Sequence, residues 1–103
     1  MKVTKEKRGN TLNVAISGSL DIKTAPQLKE ALEGCLDGVK EVIFDLGETE
    51  YTSSAGLRVL LRTFQIMNEK EGRMVLKNVN KDFYDILKLA GFTEFLEVEQ
   101  ADN

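Results

Sequence analysis

Glu41-Val42-Ile43-Phe44-Asp45-Leu46-Gly47-Glu48-Thr49-Glu50-Tyr51-Thr52-Ser53-Ser54-Ala55-Gly56-Leu57-Arg58 changes character twice along its length. Residues 41–46 form a short, nearly continuous apolar run, the pattern of a central strand covered on both faces, with helices above and below. Residues 47–53 are small, polar or acidic and read as a loop. From Ser54 onward, Leu57, Leu60, Leu61, Phe64 and Met67 recur at the three- and four-residue spacing of one helix face, and Gly72 follows as a terminator. A buried strand running through a loop into an amphipathic helix is the repeating unit of an α/β fold with parallel strands.

The same alternation continues in both directions. Upstream, residues 3–7 and 12–17 read as strands joined by Arg8-Gly9-Asn10-Thr11, a turn composition suited to a hairpin. Thr24-Ala25-Pro26-Gln27 has the Thr-x-x-Gln form of a capping box, with proline in the first turn, where its missing N–H costs nothing. The helix starting there carries Leu28, Ala31, Leu32, Cys35 and Leu36 on one face, with Gly38 as its expected end. Downstream, Met74-Val75-Leu76 reads as another buried strand. Phe83, Ile86, Leu87 and Ala90 mark a third helix closed by Gly91, and residues 95–98 a last strand. Residues 99–103 read as a solvated tail. The order predicts one α/β domain over residues 1–103: a mixed, mostly parallel sheet of four to five strands with an N-terminal β-hairpin and helices packed on the sheet. The working edge of such a sheet lies beyond the carboxyl ends of its strands, and here it should collect residues 18–24, 47–54 and 78–80.

Composition narrows the function. The 103 residues carry 14 basic and 17 acidic side chains, a net charge of -3, and no basic block that could follow a phosphate backbone. No nucleic-acid partner is expected. No apolar run approaches the roughly 20 residues that span a bilayer, and the first residues lack the apolar core of a secretion signal, so the expectation is a cytoplasmic protein with no membrane partner. Histidine is absent, which removes Ser-His-Asp relays, Cys-His pairs and the usual zinc sites. The single cysteine, Cys35, falls at an apolar helix position and reads as core. There is no Cys-x-x-Cys pair, phosphate loop or dinucleotide fingerprint, so neither an enzyme nor a cofactor or metal site is expected.

What remains is the loop that leads into the second helix. Ser53 or Ser54 suits an N-cap whose oxygen accepts a backbone N–H. The same position also exposes a seryl oxygen where free amides and the helix dipole tolerate a phosphate within the folded domain. Glycine at 56 costs a helix about 1 kcal/mol relative to alanine, and a close approach by another backbone would explain it. Asp21, just before the first helix, can cap a turn and favour the helix dipole. Asp45 reads as a strand-end residue accepting loop amides, or as a buried carboxylate near the serines.

These residues carry a specific resemblance. Gly18-Ser19-Leu20-Asp21 matches a Gly-x-Leu-Asp element, Asp45-Leu46 a strand end, and Tyr51-Thr52-Ser53-Ser54-Ala55-Gly56-Leu57 an aromatic-x-Asp/Ser-Ser-small-Gly-Leu element. Over essentially its whole length the chain resembles a STAS domain, the fold of bacterial anti-sigma factor antagonists and of sulfate transporter regulatory tails. The resemblance implies that Ser54 is the phosphoacceptor. It also implies that the unmodified domain binds an anti-sigma factor serine kinase, releasing a sigma factor, and that a serine phosphatase restores binding after phosphorylation ends it. Many antagonists have aspartate before the acceptor where this chain has Ser53, which makes Ser53 the second candidate. Asp21, Thr52, Ser53, Ser54, Ala55, Gly56 and Leu57 are the expected partner-binding residues, with Asp21 beside the acceptor. Compactness favours a free antagonist over a transporter tail. Three other readings share the pattern: a receiver domain, which would need an acidic pair where Asp21 stands alone; a small-ligand or nucleotide module using the helix start as an anion site; and a scaffold subunit of a signalling assembly.

Overall fold

The computed structural model describes residues 1–102, and its backbone is organised by one five-stranded sheet with the strands in chain order. β1 (Lys2–Arg8) and β2 (Thr11–Ser17) are antiparallel, registered from Arg8 opposite Thr11 to Lys2 opposite Ser17. β3 (Glu41–Glu48), β4 (Arg73–Val79) and β5 (Glu97–Gln100) each run parallel to the strand before. The crossovers are α1 (Ala25–Leu32), α2 (Ser54–Glu69), and α3 (Lys81–Leu89) followed by a 3-10 turn at Phe92–Glu94. The mixed sheet, the hairpin and the three helices are those the apolar periodicity predicts.

One expectation fails at the level of layers. The buried core joins Leu12, Val14 and Ile16 of β2, Val42, Phe44 and Leu46 of β3, and Met74 and Leu76 of β4 to side chains of all three helices. By the two-residue period of strands these positions share one sheet face. The opposite face carries Asn13 and Ile43, half-buried, Ala15 and Asp45, exposed, and Val75 of β4, buried beside Ile43 but outside the core cluster, with no helix over it. The sheet is therefore covered on one side only. Ile43 makes residues 41–46 look continuously apolar, but Glu41, Ile43 and Asp45 alternate with the core positions Val42, Phe44 and Leu46.

Two helix-end expectations also change. α1 stops at Leu32, four residues before Leu36, because Glu33 is extended and Gly34 is left-handed at φ +73°. Cys35 and Leu36 reach the core from the turns that follow; Cys35 is half-buried, with Lys5 Nζ donating to its sulfur at 3.3 Å. Lys5 lies opposite Val14 on the helix-bearing face and also donates to Ala31 O at 2.7 Å, so a lysine stem covers the edge where β1 has few apolar residues. The capping box at Thr24 does not form: Thr24 Oγ1 donates to Ser19 O at 2.8 Å and makes no cap bond to the helix. At the other end, the last strand lies at Glu97–Gln100 instead of 95–98. Glu99 and Gln100 thus belong to the sheet, and Ala101 N donates to Val79 O at 2.8 Å, so most of the expected tail is hydrogen-bonded. Asn103, its last residue, lies outside the described residues. Among those described, no helix is long and apolar enough to cross a membrane.

Candidate functional site

Three loops meet beyond the carboxyl ends of the strands, and backbone hydrogen bonds join the first two. Gly18 N donates to Glu48 O, Leu20 N to Tyr51 O and Ser53 N to Leu20 O, each at 2.9 Å. Leu20 and Thr52 pair as a short parallel bridge, so the β2–α1 and β3–α2 loops extend the sheet by one rung. Asn80, at the start of α3, accepts from Phe83 N at 2.8 Å and donates through Nδ2 to Thr49 O at 3.1 Å and Glu50 O at 3.3 Å. Thr49 is buried, and its hydroxyl donates to Ile16 O at 2.7 Å. The structure therefore brings together residues 18–24, 47–54 and 78–80.

Gly56 shows why this junction is tight. A Cβ built there would lie 2.4 Å from Thr52 Oγ1, 2.7 Å from Leu20 Cγ and 2.8 Å from Leu20 O. A backbone does approach, as the cost of a helical glycine suggests, and it is the β2–α1 loop. The expected partner-binding residues divide accordingly. Thr52 and Gly56 are buried and position the loop, while Ser53, Ala55 and Leu57 are half-buried. Ser54 is exposed, on the first residue of α2.

The expected serine cap is absent. Ser53 stands at the N-cap with an extended backbone, but neither its side chain nor any other caps α2. Its N–H is tied to Leu20 O, so the neighbouring loop orients the residue, and Ser53 Oγ is buried with no partner among the described residues.

Asp21 closes its own turn: Oδ1 accepts from Lys23 N at 2.9 Å, Thr24 N at 3.0 Å and Thr24 Oγ1 at 3.2 Å. The Thr24 amide leads in holding this carboxyl below its ordinary value, and it outweighs the opposing effect of partial burial. Asp21 directly follows Leu20, whose carbonyl holds Ser53, which brings its turn to the serine loop. Asp45 accepts from Gly47 N at 3.0 Å and Asn78 Nδ2 at 3.1 Å; being exposed on the helix-free face, it is a strand-end brace and not a buried carboxylate acting on the serines.

Two exposed side chains at this edge are not among the expected partner-binding residues, although Tyr51 belongs to the matched element. Ile22 is 76% exposed and Tyr51 51% exposed, large side chains on the two loops joined by the Leu20–Thr52 bridge. Ile22 had a signal: an aliphatic residue in the polar turn Asp21-Ile22-Lys23-Thr24, outside both flanking periodic segments. Among the described residues, no group of three or more acidic or cysteine side chains is placed to hold a metal ion.

The chain as a whole has relatives. Residues 2–101 match the family model of the STAS domain. The chain belongs to the STAS domain family. This STAS chain is 29% identical over 101 residues to an anti-sigma-B factor antagonist of Listeria monocytogenes, covering 95% of this chain and 87% of that one. Its fold resembles that of an anti-sigma factor antagonist from Mycobacterium paratuberculosis, with a TM-score of 0.84, 22% identity, and coverage of 95% of this chain and 84% of the other. It also resembles the Bacillus protein SpoIIAA, whose structure is known in an unphosphorylated form (TM-score 0.78, 16% identity, 98% of this chain and 90% of that) and a phosphorylated form (TM-score 0.75, 16% identity, 94% and 90%).

Proposed function

We propose that this STAS protein is an anti-sigma factor antagonist switched at Ser54. The unmodified form binds an anti-sigma factor that is also a serine kinase, and the sigma factor is released. The kinase then transfers the γ-phosphoryl group of ATP to Ser54 Oγ: the bond to ADP breaks, the seryl O–P bond forms and the hydroxyl proton departs. Binding ends until a serine phosphatase hydrolyses the ester and returns inorganic phosphate. This work belongs in the cytoplasm, needs no nucleic-acid or membrane partner and makes the chain a substrate rather than an enzyme.

The observation that carries the reading is the exposed Ser54 on a braced helix start, with exposed Ile22 and Tyr51 on the two loops tied together there. Those side chains offer contact area to a folded partner, and the phosphate adds about -1.5 to -2 charge beside them, on a protein already at -3. Its relatives named as antagonists support the partner class, and SpoIIAA, known in phosphorylated and unphosphorylated forms, supports the modification. The test is titration calorimetry against the anti-sigma factor kinase of the source cell. Ser54→Ala should bind and accept no phosphate, and Ser54→Asp should bind more weakly with an unchanged circular dichroism spectrum. Phosphate found only on Thr52 or Ser53 by peptide mass spectrometry, or equal affinity for Ser54→Asp and the unmodified protein, overturns the proposal.

A further inference from the structure

We propose that Arg58 is the internal receiver of a phosphate on Ser54, so that modification withdraws a cation from the docking face at the same time as it adds an anion. The inference rests on Ser54 being the phosphoacceptor. Ser54 and Arg58 are both exposed and lie four residues apart on α2, where side chains are neighbours on the helix surface. The anion is on the N-terminal side of the cation, the favourable order for such a pair. Guanidinium and phosphate also match as planar donor fork and multi-oxygen acceptor.

Among the described residues Arg58 makes no ion pair: the pairs there join Arg8 to Glu6, Arg73 to Glu41 and Glu97, and Lys81 to Asp85. No acidic residue occurs in the sequence between Glu50 and Glu69. Arg62, one turn further on, lines a groove of about 210 Å³ between α1 and α2 with Lys29, Glu33 and Asp37, and is eight residues from Ser54, beyond reach of a phosphate there. The other charges around the start of α2 are Asp21 and Lys23 on one loop and Glu48 and Glu50 on the other; Asp21 is committed to its own turn. In the unmodified protein Arg58 is therefore available to an acidic group on a partner lying across the first turns of α2. After phosphorylation that guanidinium is engaged at home, and the local charge of the Ser54–Arg58 pair passes from +1 to about -0.5 to -1.

The test needs neither kinase nor partner. Phosphoserine is installed at position 54 of the full chain by genetic encoding, and the second ionisation of the phosphate is followed by 31P NMR against pH. Its midpoint in the otherwise unchanged protein should lie about 0.3 below that of Arg58→Gln, as expected for one such pair. Arg58→Lys should recover part of the difference, and Arg62→Gln should leave the midpoint unchanged. In 1 M salt, where the screening length falls to about 3 Å, the difference should shrink. Equal midpoints with and without Arg58, or an equal shift from Arg62→Gln, overturn the inference. Failure of the kinase to label Ser54 would instead reject the proposed function and leave this measurement intact.

Discussion

Gly56→Ala sets two large effects of opposite sign against each other at the same atom. Helix propensity alone says that alanine in the first turns of α2 should stabilise by about 1 kcal/mol. The structure says otherwise, because the new methyl carbon would sit 2.4 Å from Thr52 Oγ1, 2.7 Å from Leu20 Cγ and 2.8 Å from Leu20 O. Leu20 is fully buried and Thr52 nearly so, and Leu20 O is a backbone atom accepting the Ser53 N–H at 2.9 Å, so none of the three can swing into solvent. Relief requires the start of α2 to move off the β2–α1 loop, at the roughly 1–3 kcal/mol typical of overpacking and about 1 kcal/mol more for a loosened buried hydrogen bond. After subtracting the propensity gain, the variant should be destabilised by about 1–3 kcal/mol. For a domain of this size each kcal/mol moves Tm by about 4–8 °C, so the melting temperature should fall by roughly 5–20 °C. Calorimetry with parallel urea unfolding reads this directly. A melting temperature equal to or above that of the parent protein would refute the close approach and with it the braced geometry of the serine loop.

Two further outcomes probe the same loops. Because its carboxyl is held below the ordinary value of 3.8, Asp21 contributes stability that is complete above that pH and disappears as pH falls through the lower folded value. The melting-temperature gap between the parent protein and Asp21→Asn should therefore be present at pH 7 and close in acid, and a gap independent of pH contradicts the assigned hydrogen bonds. Ser53→Ala should leave stability unchanged or raised, since it removes a buried hydroxyl without a partner, a group whose desolvation costs about 1–3 kcal/mol. A loss of about 1 kcal/mol in urea unfolding would instead mean that the hydroxyl caps α2 after all.

Much of the fold was legible because period and composition agree along most of the chain. α2 and α3 follow from apolar spacing, and the hairpin from its Gly-Asn turn. Legibility stopped where one residue sent two messages. Ile43 made β3 look apolar throughout, although β2 alternates cleanly between core Leu12, Val14 and Ile16 and outward Asn13 and Ala15. Reading β2 and β3 together would have revealed a sheet with one uncovered face. Leu36 kept helical spacing past the true end of α1 because a turn can return an apolar side chain to the core at nearly the same register. In the candidate site, the pattern singled out Ser54, Gly56 and Asp21 and an exposed seryl oxygen, but not that Ser53 Oγ is buried while Ser54 is exposed. Burial depends on the loop that lies across α2, and that contact joins residues 20 and 56 across an intervening strand and helix.

The same contact constrains how a switch at Ser54 can work. A conformational switch needs an element with two arrangements of similar energy. Around Ser54 the structure offers no such element: Leu20 and Thr52 are buried, Gly56 leaves no room for a methyl group, and three backbone hydrogen bonds of 2.9 Å tie the two loops together. Rearranging this junction would break several of these contacts together, at a cost of about 1 kcal/mol per hydrogen bond before any packing loss. A phosphate on an exposed hydroxyl has no need to break them, because it gains its own contacts from water and from Arg58 on the surface. Phosphorylation of Ser54 should therefore leave the fold in place and act through the charge and bulk of the surface it alters. The affinity it changes is then set within reach of that oxygen, by what a partner brings opposite Ser54, Arg58, Ile22 and Tyr51.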